Sequence, residues 1–341
     1  MEQKVLKFIL VISYDKKYKV NKNVNEVAMR TIHVYLTGRL GNQLFQYAFA
    51  RKLQKQYGGK IICNVYDLEH NNNKIKNNKG KSEKFQYDMS NYILNDNVEI
   101  EDRKLPWYAD FNNFLVKVIK KIFPRLYFEL MAKFGYLIWQ RDDYINIPKI
   151  CTSQITICGW WQDFRFFNGV NEQLSNEIVP KTLPVQKNKE MYELAKNKES
   201  VCISIRGGNY LVPKIKELLF VCDRDYFYTA IEQMNLALNK PEYLIFSDDL
   251  DWVRSYLRLE EKFPNYKFHY ESGEDSVEEK IRMMTACNNF IISNSSFSWW
   301  AQYLSKNKNK IVMAPNSWFA DGRQNGLYMK DWILLPGRTR R

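Results

Sequence analysis

The chain has 341 residues, of which 45% are hydrophobic and 26% are charged; this is the balance of a soluble globular protein long enough for two domains. Its formal net charge of +13 favours anionic partners. The sequence contains no zinc-finger spacing, aromatic ribonucleoprotein motif or basic region followed by heptads, so we predict no nucleic-acid partner. No segment reaches the roughly 20 apolar residues that a membrane span needs.

The cysteines and the basic charge bear on the compartment of the protein. None of the six cysteines forms a C-x-x-C pair and only three histidines are present, so we expect no structural zinc site. Most of the cysteines stand in apolar runs, which favours reduced core residues and a cytoplasmic protein. A solvated basic surface is the simpler interpretation of the scattered lysines. Peripheral contact with the anionic surface of the inner membrane stays open as an alternative.

The first regular elements are predicted after residue 28. Residues 1–28 are rich in Lys and Asn and form a predicted N-terminal extension, unless the protein starts at Met29. Thr31–Leu36 is apolar and β-branched, which predicts a strand. A glycine loop and a helical pattern up to Tyr57 follow, and Ile61–Val65 predicts the next strand. This order opens a parallel α/β unit.

The middle of the sequence is less regular. Phe111–Phe134 predicts one or two helices broken at Pro124, and Ile155–Gly159 predicts a short strand. A polar stretch that contains two prolines, residues 171–198, predicts the connection between two domains.

Strands and helices alternate regularly in the C-terminal half. The predicted strands are Val201–Ile205, Tyr243–Phe246, Tyr266–Tyr270, Phe290–Ile292 and Ile311–Ala314, and the predicted helices are Asp225–Leu238, Trp252–Leu257, Ser276–Ala286 and Phe297–Leu304. This alternation is typical of a doubly wound parallel sheet. We therefore expect an α/β fold in which two Rossmann-like domains, residues 29–185 and 186–341, face a cleft.

Two predicted strands lead into small residues and a helix start. In open α/β sheets ligands bind beyond the carboxyl ends of the strands. Gly38–Gln43 brings two glycines to a helix N-terminus, where backbone N–H groups stabilise phosphate; an ordinary tight turn is the alternative. Asn294–Ser296 offers a similar cradle for a pyrophosphate. The following Trp299 and Trp300 are expected in the core.

Charged residues follow two further strands. Arg206 suits forked binding of a phosphate, with an exposed turn as the alternative. Ser247, Asp248 and Asp249 follow the next strand. Carboxylates at such a position bind ribose hydroxyls, a guanine N–H edge or a metal, and we expect one of the two aspartates to cap the next helix instead.

Several of these segments carry a family resemblance. They are Gly38–Ala48, Gly159–Gln162, Phe246–Asp249, Ile292–Trp300, and Ala314-Pro315 followed by Trp318-Phe319. They closely resemble the motifs of the bacterial alpha-1,2-fucosyltransferases, glycosyltransferase family 11. The resemblance runs from about Thr31 to Trp332, which is nearly the whole sequence.

The resemblance implies a GT-B-like fold and an inverting transfer, without metal or other cofactor, of fucose from GDP-fucose. The implied acceptor is a hydroxyl of a galactose-terminated glycan, in α-1,2 linkage, during synthesis of a surface polysaccharide or glycan. The N-terminal domain would be the acceptor side, and the C-terminal domain would hold most of the GDP-sugar. The implied donor-binding residues are Gly41 of the N-terminal domain and Arg206, Asn209, Ser247, Asp248, Asp249, Ser295, Ser296 and Phe297 of the C-terminal domain. The expected catalytic residues are Asn42, Arg206 and, as a candidate base, Asp163, which follows the Trp160–Gln162 cluster.

One motif departs from the family pattern, H-x-R-R-x-D. Gly207 replaces the second arginine and Asn209 replaces the acidic residue. Restoring arginine at position 207 is expected to tighten GDP binding, unless the glycine has a positive φ or a local lysine, such as Lys214 or Lys216, already occupies the space. The departure also motivates an alternative function, a degenerate member that binds GDP-sugar or glycan with weak or no turnover. A metal-dependent transferase that uses Asp249 and Asp251 is a further alternative.

Overall fold

The computed structural model describes residues 29–70, 74–76, 82–95, 98–110, 113–323 and 325–338. Its strands are β1 (Thr31–Tyr35), β2 (Lys60–Asn64), β3 (Lys74–Lys76), β4 (Ser82–Lys84), β5 (Val98–Glu101), β6 (Tyr136–Trp139), β7 (Gln154–Gly159), β8 (Ser200–Ile205), β9 (Glu242–Ser247), β10 (Lys267–Tyr270), β11 (Asn289–Ile292), β12 (Val312–Pro315) and β13 (Ile333–Leu335). Its α-helices are α1 (Leu40–Tyr57), α2 (Tyr66–His70), α3 (Phe114–Ile122), α4 (Pro124–Lys133), α5 (Asn171–Glu177), α6 (Lys189–Ala195), α7 (Pro213–Lys216), α8 (Arg224–Ala237), α9 (Leu250–Leu257), α10 (Leu259–Lys262), α11 (Val277–Ala286) and α12 (Ser296–Leu304).

Two parallel sheets organise the fold. The first has the strand order β5-β2-β1-β7-β6 and the second β10-β9-β8-β11-β12-β13, while β3 and β4 form a separate antiparallel hairpin. β1 lies at the centre of the first sheet, paired in parallel with β2 and with β7. In the second sheet β8 and β11 are neighbours, and the strand order runs outward from them in opposite directions. These are the topological switch points at which open sheets bind ligands.

The predicted α/β fold with two Rossmann-like domains facing a cleft is confirmed. Every strand and helix predicted in the C-terminal half is present within a few residues of its expected bounds. The predicted helical stretch Phe111–Phe134 divides at Pro124, which is the first residue of α4. Pro is favoured at that position because the first N–H groups of a helix have no intrahelical partner. The strands missed from the sequence are β3, β4, β5, β6 and β13, each 3 to 4 residues long. β3 and β4 form the separate hairpin, and the other three lie at sheet edges.

The two domains share an aromatic core. Phe45 of α1 packs on Trp299 and Trp300 of α12 with ring centroids 4.9 and 5.0 Å apart, and Phe167 stacks on Trp300 at 5.7 Å. The Trp300 indole also donates a 3.0 Å hydrogen bond to the carbonyl of Gly41. Since all four aromatic residues are almost fully buried, the relative position of the domains is fixed by packing as well as by the covalent connection.

The segment that connects the two sheets contains the predicted domain boundary. The first sheet ends at Gly159 and the second begins at Ser200, with α5 and α6 between them, so the division at residues 185 and 186 stays a prediction. The predicted extension, residues 1–28, lies outside the described residues. None of the described helices has the length and apolar character that crossing a membrane requires.

Trp300→Phe is expected to lower the free energy of unfolding by about 1–3 kcal/mol, because it leaves the buried Gly41 carbonyl without its donor. Urea denaturation followed by tryptophan fluorescence measures the change. The matched control is Trp107→Phe, whose side chain is 42% exposed, and here we expect a change within about 0.5 kcal/mol. Equal effects of the two substitutions would contradict the conclusion that the hydrogen bond from the Trp300 indole helps to hold the domains together.

Candidate active site

A cleft of about 770 Å³ lies between the two sheets, lined by residues that follow the carboxyl ends of strands from both domains. The N-terminal domain contributes Arg39, Leu40, Gly41, Asn42, Phe85, Asp88, Gln140, Asp142, Trp160 and Gln162. The C-terminal domain contributes, among others, Ser204, Arg206, Tyr210, Ser247, Asp248, Lys280, Ser295, Ser296, Phe297, Trp318, Phe319 and Arg323. A cavity of this size accommodates a nucleotide-sized ligand.

The two domains come into direct contact inside the cleft at Gly41. A Cβ at this position would collide with the Ser296 hydroxyl and lie 2.9 Å from the Phe297 backbone nitrogen. Glycine is therefore required by the contact, although its φ is ordinary. The glycine loop after β1 and the Ser-Ser-Phe segment after β11, which the sequence predicted as separate phosphate cradles, form one site.

Ser295–Phe297 form the start of α12, and this helix N-terminus opens on the cleft. Ser295 is the N-cap residue, yet its side chain makes no capping hydrogen bond, and both serines line the cavity. Backbone N–H groups at a helix start, with the positive end of the helix dipole, stabilise an anion such as a diphosphate.

Asn42 lies beside this junction, in the N-terminal domain. Its side-chain oxygen accepts a 2.8 Å hydrogen bond from the Gln162 amide. Gln162 and Trp160, from the segment with the G-x-W-Q pattern, line the same cavity. The first and second resembling segments therefore meet across the amino-terminal sheet, between β1 and β7.

Arg206 lies at the end of β8 and is paired with Asp248 at the end of β9. Its guanidinium is 3.2 Å from one carboxylate oxygen of Asp248, and the other oxygen accepts a 3.0 Å hydrogen bond from the Gly207 backbone. A Cβ on Gly208 would collide with the same carboxylate. Asp248 thus holds the Arg206 turn in place, while the arginine still reaches the cavity with 19% of its side chain exposed.

The space of the missing second arginine is occupied. A Cβ on Gly207 would lie 2.5 Å from the ring of Trp252, which stacks on Tyr256 with centroids 4.8 Å apart. Gly207 has no positive φ, so backbone strain is not the obstacle that the sequence left open. The obstacle is the Trp252 indole. It occupies the space that an arginine side chain at position 207 would need, so the expected tightening of GDP binding is not supported. The side chains of Asn209 and of Lys214, one of the two lysines named as a possible occupant of this space, lie outside the described part of the structure.

Asp249 and Ser247 belong to the local structure of the β9 end. Asp249 is the helix cap predicted for one of the two aspartates: it is buried and accepts a hydrogen bond from the Trp252 backbone. Ser247 lines the cavity, and its hydroxyl accepts a 3.1 Å bond from the Asp249 backbone. Within the described residues, no three His, Cys, Asp or Glu side chains are grouped closely enough to hold a metal ion.

Asp163, the candidate base from the sequence, is not among the described residues that line the cleft. Its side chain is 2% exposed and forms a 2.5 Å ion pair with Arg165, and it also accepts a hydrogen bond from the Arg165 backbone. A Cβ on Gly326 would collide with it. The carboxylate caps a short 3-10 turn against the C-terminal domain, so its geometry supports a structural role and gives it no access to an acceptor hydroxyl.

Two cleft carboxylates that the sequence did not single out are Asp88 and Asp142. Asp88 accepts a 2.7 Å hydrogen bond from the Leu40 backbone and so caps α1 from a distant segment. Burial raises the pKa of the Asp88 carboxyl, opposed by the Leu40 hydrogen bond. Burial also raises the pKa of Asp142, opposed by Arg323 at 3.3 Å. No local pattern marks either residue, because their position depends on the assembled domains.

Lys280 is a further cleft residue that sequence reasoning missed. Its ammonium is 2.8 Å from Glu271, whose side chain has no exposed surface. Burial raises the pKa of Glu271, opposed by Lys280. The same carboxylate accepts a hydrogen bond from the Ser247 backbone, so Lys280 brings a second cation close to the β9 end of the cavity.

Gly207→Arg alone is expected to lower the free energy of unfolding and to leave GDP binding no tighter, because its Cβ meets the Trp252 ring. Adding Trp252→Ala frees that space. We therefore expect the two substitutions to couple by about 0.5–3 kcal/mol in a double-mutant cycle. Urea denaturation and calorimetric titration with GDP of all four proteins measure this coupling. Tighter GDP binding by the single variant would contradict the steric argument.

Comparison with known proteins supports the family assignment. The family model described as "Glycosyl transferase family 11" matches residues 31–336. Two relatives come from Escherichia coli: an O-antigen biosynthesis glycosyltransferase WbnK, 26% identical over 88% of this protein and 99% of the relative, and an alpha-1,2-colitosyltransferase, 28% identical over 85% and 93%. A galactoside alpha-(1,2)-fucosyltransferase 2 of Gorilla gorilla gorilla is 21% identical over 49% of each protein. The protein therefore belongs to glycosyltransferase family 11.

Proposed function

We propose that the protein transfers fucose from GDP-fucose to the 2-hydroxyl of a galactoside, with inversion, in the synthesis of a surface polysaccharide. Membership of family 11 supports a glycosyl transfer. The names of the relatives, an O-antigen biosynthesis glycosyltransferase and a galactoside alpha-(1,2)-fucosyltransferase, support the acceptor class and the linkage.

The observation that carries the proposal is the meeting of Gly41, Arg206 and the α12 N-terminus in one cleft. In a transfer from a nucleotide sugar, the bond between C1 of the sugar and the β-phosphate oxygen breaks, and the electron pair leaves with GDP. The acceptor oxygen bonds to C1 from the opposite face. A guanidinium and helix N–H groups at the diphosphate stabilise the negative charge that develops on the leaving group.

Arg206 would exchange its partner on donor binding. In the structure its guanidinium is paired with Asp248. A diphosphate in the cleft offers a more highly charged partner in the forked geometry that arginine favours. Asp248, Ser247 and Lys280 then remain for the nucleoside end of the donor, next to β9.

Asp88 is the base that the geometry supports best. It is bound to the backbone of Leu40, and the adjacent Gly41 contacts Ser296, so the carboxylate binds the residue next to the phosphate cradle. Burial raises its pKa, which brings the carboxyl closer to the range in which a base accepts a proton efficiently. The acceptor hydroxyl would pass its proton to the Asp88 carboxylate as the new bond to C1 forms.

A second donor is favoured by one comparison. The relative named alpha-1,2-colitosyltransferase matches 85% of this protein, so a colitosyl donor belongs beside GDP-fucose in any screen. No finding favours the degenerate alternative that Gly207 and Asn209 suggested.

The test is a donor screen with purified protein and a panel of galactosides, measuring GDP release and the linkage of the product. Fucose transfer in α-1,2 linkage supports the proposal. Donor hydrolysis without transfer, or turnover only with another sugar nucleotide, would overturn it. We further propose that no metal is required, and full activity in EDTA is the expected result.

Arg206→Ala is expected to lower kcat/KM by roughly 10- to 100-fold, since it removes a charge-assisted hydrogen bond at the leaving group. Arg39→Ala, in the same cleft but on the N-terminal domain, should have a much smaller effect. Arg206→Lys keeps the charge without the fork and should fall between the two. Steady-state kinetics decide this, and equal, mild effects of both alanine variants would exclude the assigned role of Arg206.

Asp88→Asn is expected to lower kcat by about 100-fold while changing the free energy of unfolding by less than about 1 kcal/mol, because asparagine can still cap α1 but cannot accept the proton. Asp88→Ala should lose both activity and stability. A base must be deprotonated, so activity of the native protein falls as the pH drops through the pKa of Asp88. Burial places this acidic limb above the ordinary range of an aspartate.

A pH–rate profile of Asp88→Asn should lack the acidic limb. If the limb persists unchanged with high residual activity, another group is the base, and Asp142 is then the next cleft carboxylate with a raised pKa.

We also propose a cytoplasmic location for the reaction. Five of the six cysteines are buried and none is in a disulfide, in keeping with a reducing compartment. The net positive charge favours peripheral contact with an anionic membrane, but as a property of the whole sequence it does not say where that contact would be.

A further inference from the structure

The helical hairpin formed by α3 and α4 carries a ridge of large apolar side chains that point to solvent in the described structure. The exposed side chains, with their exposed fractions, are Phe114 (75%), Leu115 (52%), Val118 (38%), Ile122 (53%), Phe123 (47%) and Leu126 (60%). We call these six residues the apolar ridge. Single exposed apolar residues are common, but a contiguous group of this kind marks an interaction surface.

The ridge is a second apolar face of a hairpin that is already anchored. Val116 of α3 is fully buried, and Tyr127 and Met131 of α4 pack with it against Ile138 of β6. Asn113 caps α3 by accepting hydrogen bonds from the Leu115 and Val116 backbones. The helices are therefore fixed by their inner faces, and none of the six ridge residues belongs to the buried core.

The charge of α3 and of the first residues of α4 is one-sided. Residues 114–126 contain Lys117, Lys120, Lys121 and Arg125 and no acidic residue. The three lysines line a cavity of about 350 Å³ beside the ridge, with Trp139 in its wall. Arg141 lines it too, paired with Asp143 at 3.0 Å. Apolar side chains next to a cluster of cations are typical of helices that lie in the interface of an anionic bilayer.

We propose that the α3–α4 hairpin is the surface by which this protein docks on a membrane rich in anionic phospholipids. The apolar ridge inserts among the acyl tails, and the basic cavity faces the phosphate groups. This inference locates the membrane contact that the net charge leaves unplaced.

The hairpin is placed to serve the cleft. α4 leads directly into β6, and Gln140, the residue after β6, lines both the basic cavity and the cleft. Asp142 follows on the cleft side. A membrane bound at the hairpin would therefore lie on the acceptor side of the cleft. If the proposed function is right, the acceptor glycan is presented from that membrane.

Charge argues against other occupants of the ridge. A second copy of the protein would bring the same lysines to the interface. The segment of residues 1–28 has six lysines against three acidic residues, so it too is cationic. An anionic surface complements the hairpin, whereas both of these would place like charges together.

The experiment uses the full-length protein and unilamellar vesicles, either phosphatidylcholine alone or with about 40% phosphatidylglycerol, which approximates an anionic inner membrane in charge, in a sedimentation assay. The native protein is expected to bind the anionic vesicles and to be released by salt. Phe114→Ser with Leu126→Ser, and separately Lys117→Glu with Lys121→Glu, should each weaken binding at least about tenfold. The matched controls, Leu236→Ser on α8 (89% exposed) and Lys308→Glu, should bind like the native protein.

Transfer to a soluble galactoside should be unchanged in the hairpin variants, while transfer to a galactolipid in anionic vesicles should fall with binding. Vesicle binding needs no donor, so it can succeed or fail independently of the proposed reaction. Three results would overturn the inference. The first is native binding to anionic vesicles by both hairpin variants. The second is loss of binding when only the N-terminal extension is changed, by Phe8→Ser with Ile9→Ser in its apolar stretch. The third is self-association in sedimentation velocity that the ridge variant abolishes.

Discussion

The two domains of this protein meet at Gly41, whose missing side chain lets α1 lie directly against Ser296 and Phe297 at the start of α12. The Trp300 indole secures the same point by donating to the Gly41 carbonyl, and the surrounding aromatic rings exclude water from it. The rest of the site depends on this contact. It brings the carboxyl ends of both sheets to one cavity, and it sets Asn42 and Asp88 of one domain in the same cavity as the α12 N-terminus of the other.

The cleft contains several cations, and carboxylates hold three of them: Arg206 with Asp248, Lys280 with Glu271, and Arg323 with Asp142. Pairing with a carboxylate offsets the free-energy cost of removing a cation from water. A diphosphate can replace a carboxylate at Arg206 without leaving either charge in a dry interior, because the cavity is open to solvent. This member of family 11 has a single arginine, Arg206, where the family pattern has two. The Trp252 ring fills the space beside Gly207, the position of the second.

β6 links the cleft to the proposed membrane surface. Its carboxyl end delivers Gln140 and Asp142 to the cavity, and the hairpin before it carries the apolar ridge and its lysines. A transferase whose acceptor is attached to a membrane gains from being held on that membrane, since both reactants are then confined to one surface and their encounter no longer requires three-dimensional diffusion.

The sequence by itself determined the α/β class, most strands and helices, the family, and the glycine loop and Ser-Ser-Phe segment that line the cleft, because period-2 and period-3.6 patterns and glycine-rich turns are local signals. The sequence also predicted that either Asp248 or Asp249 caps the next helix, and Asp249 does so. Tertiary structure alone decided that Asp163 is a buried partner of Arg165, that Asp88 caps α1 within the cleft, and that Trp252 fills the space beside Gly207. These roles come from residues distant in the sequence that packing brings together, and no local pattern encodes which side chains will meet.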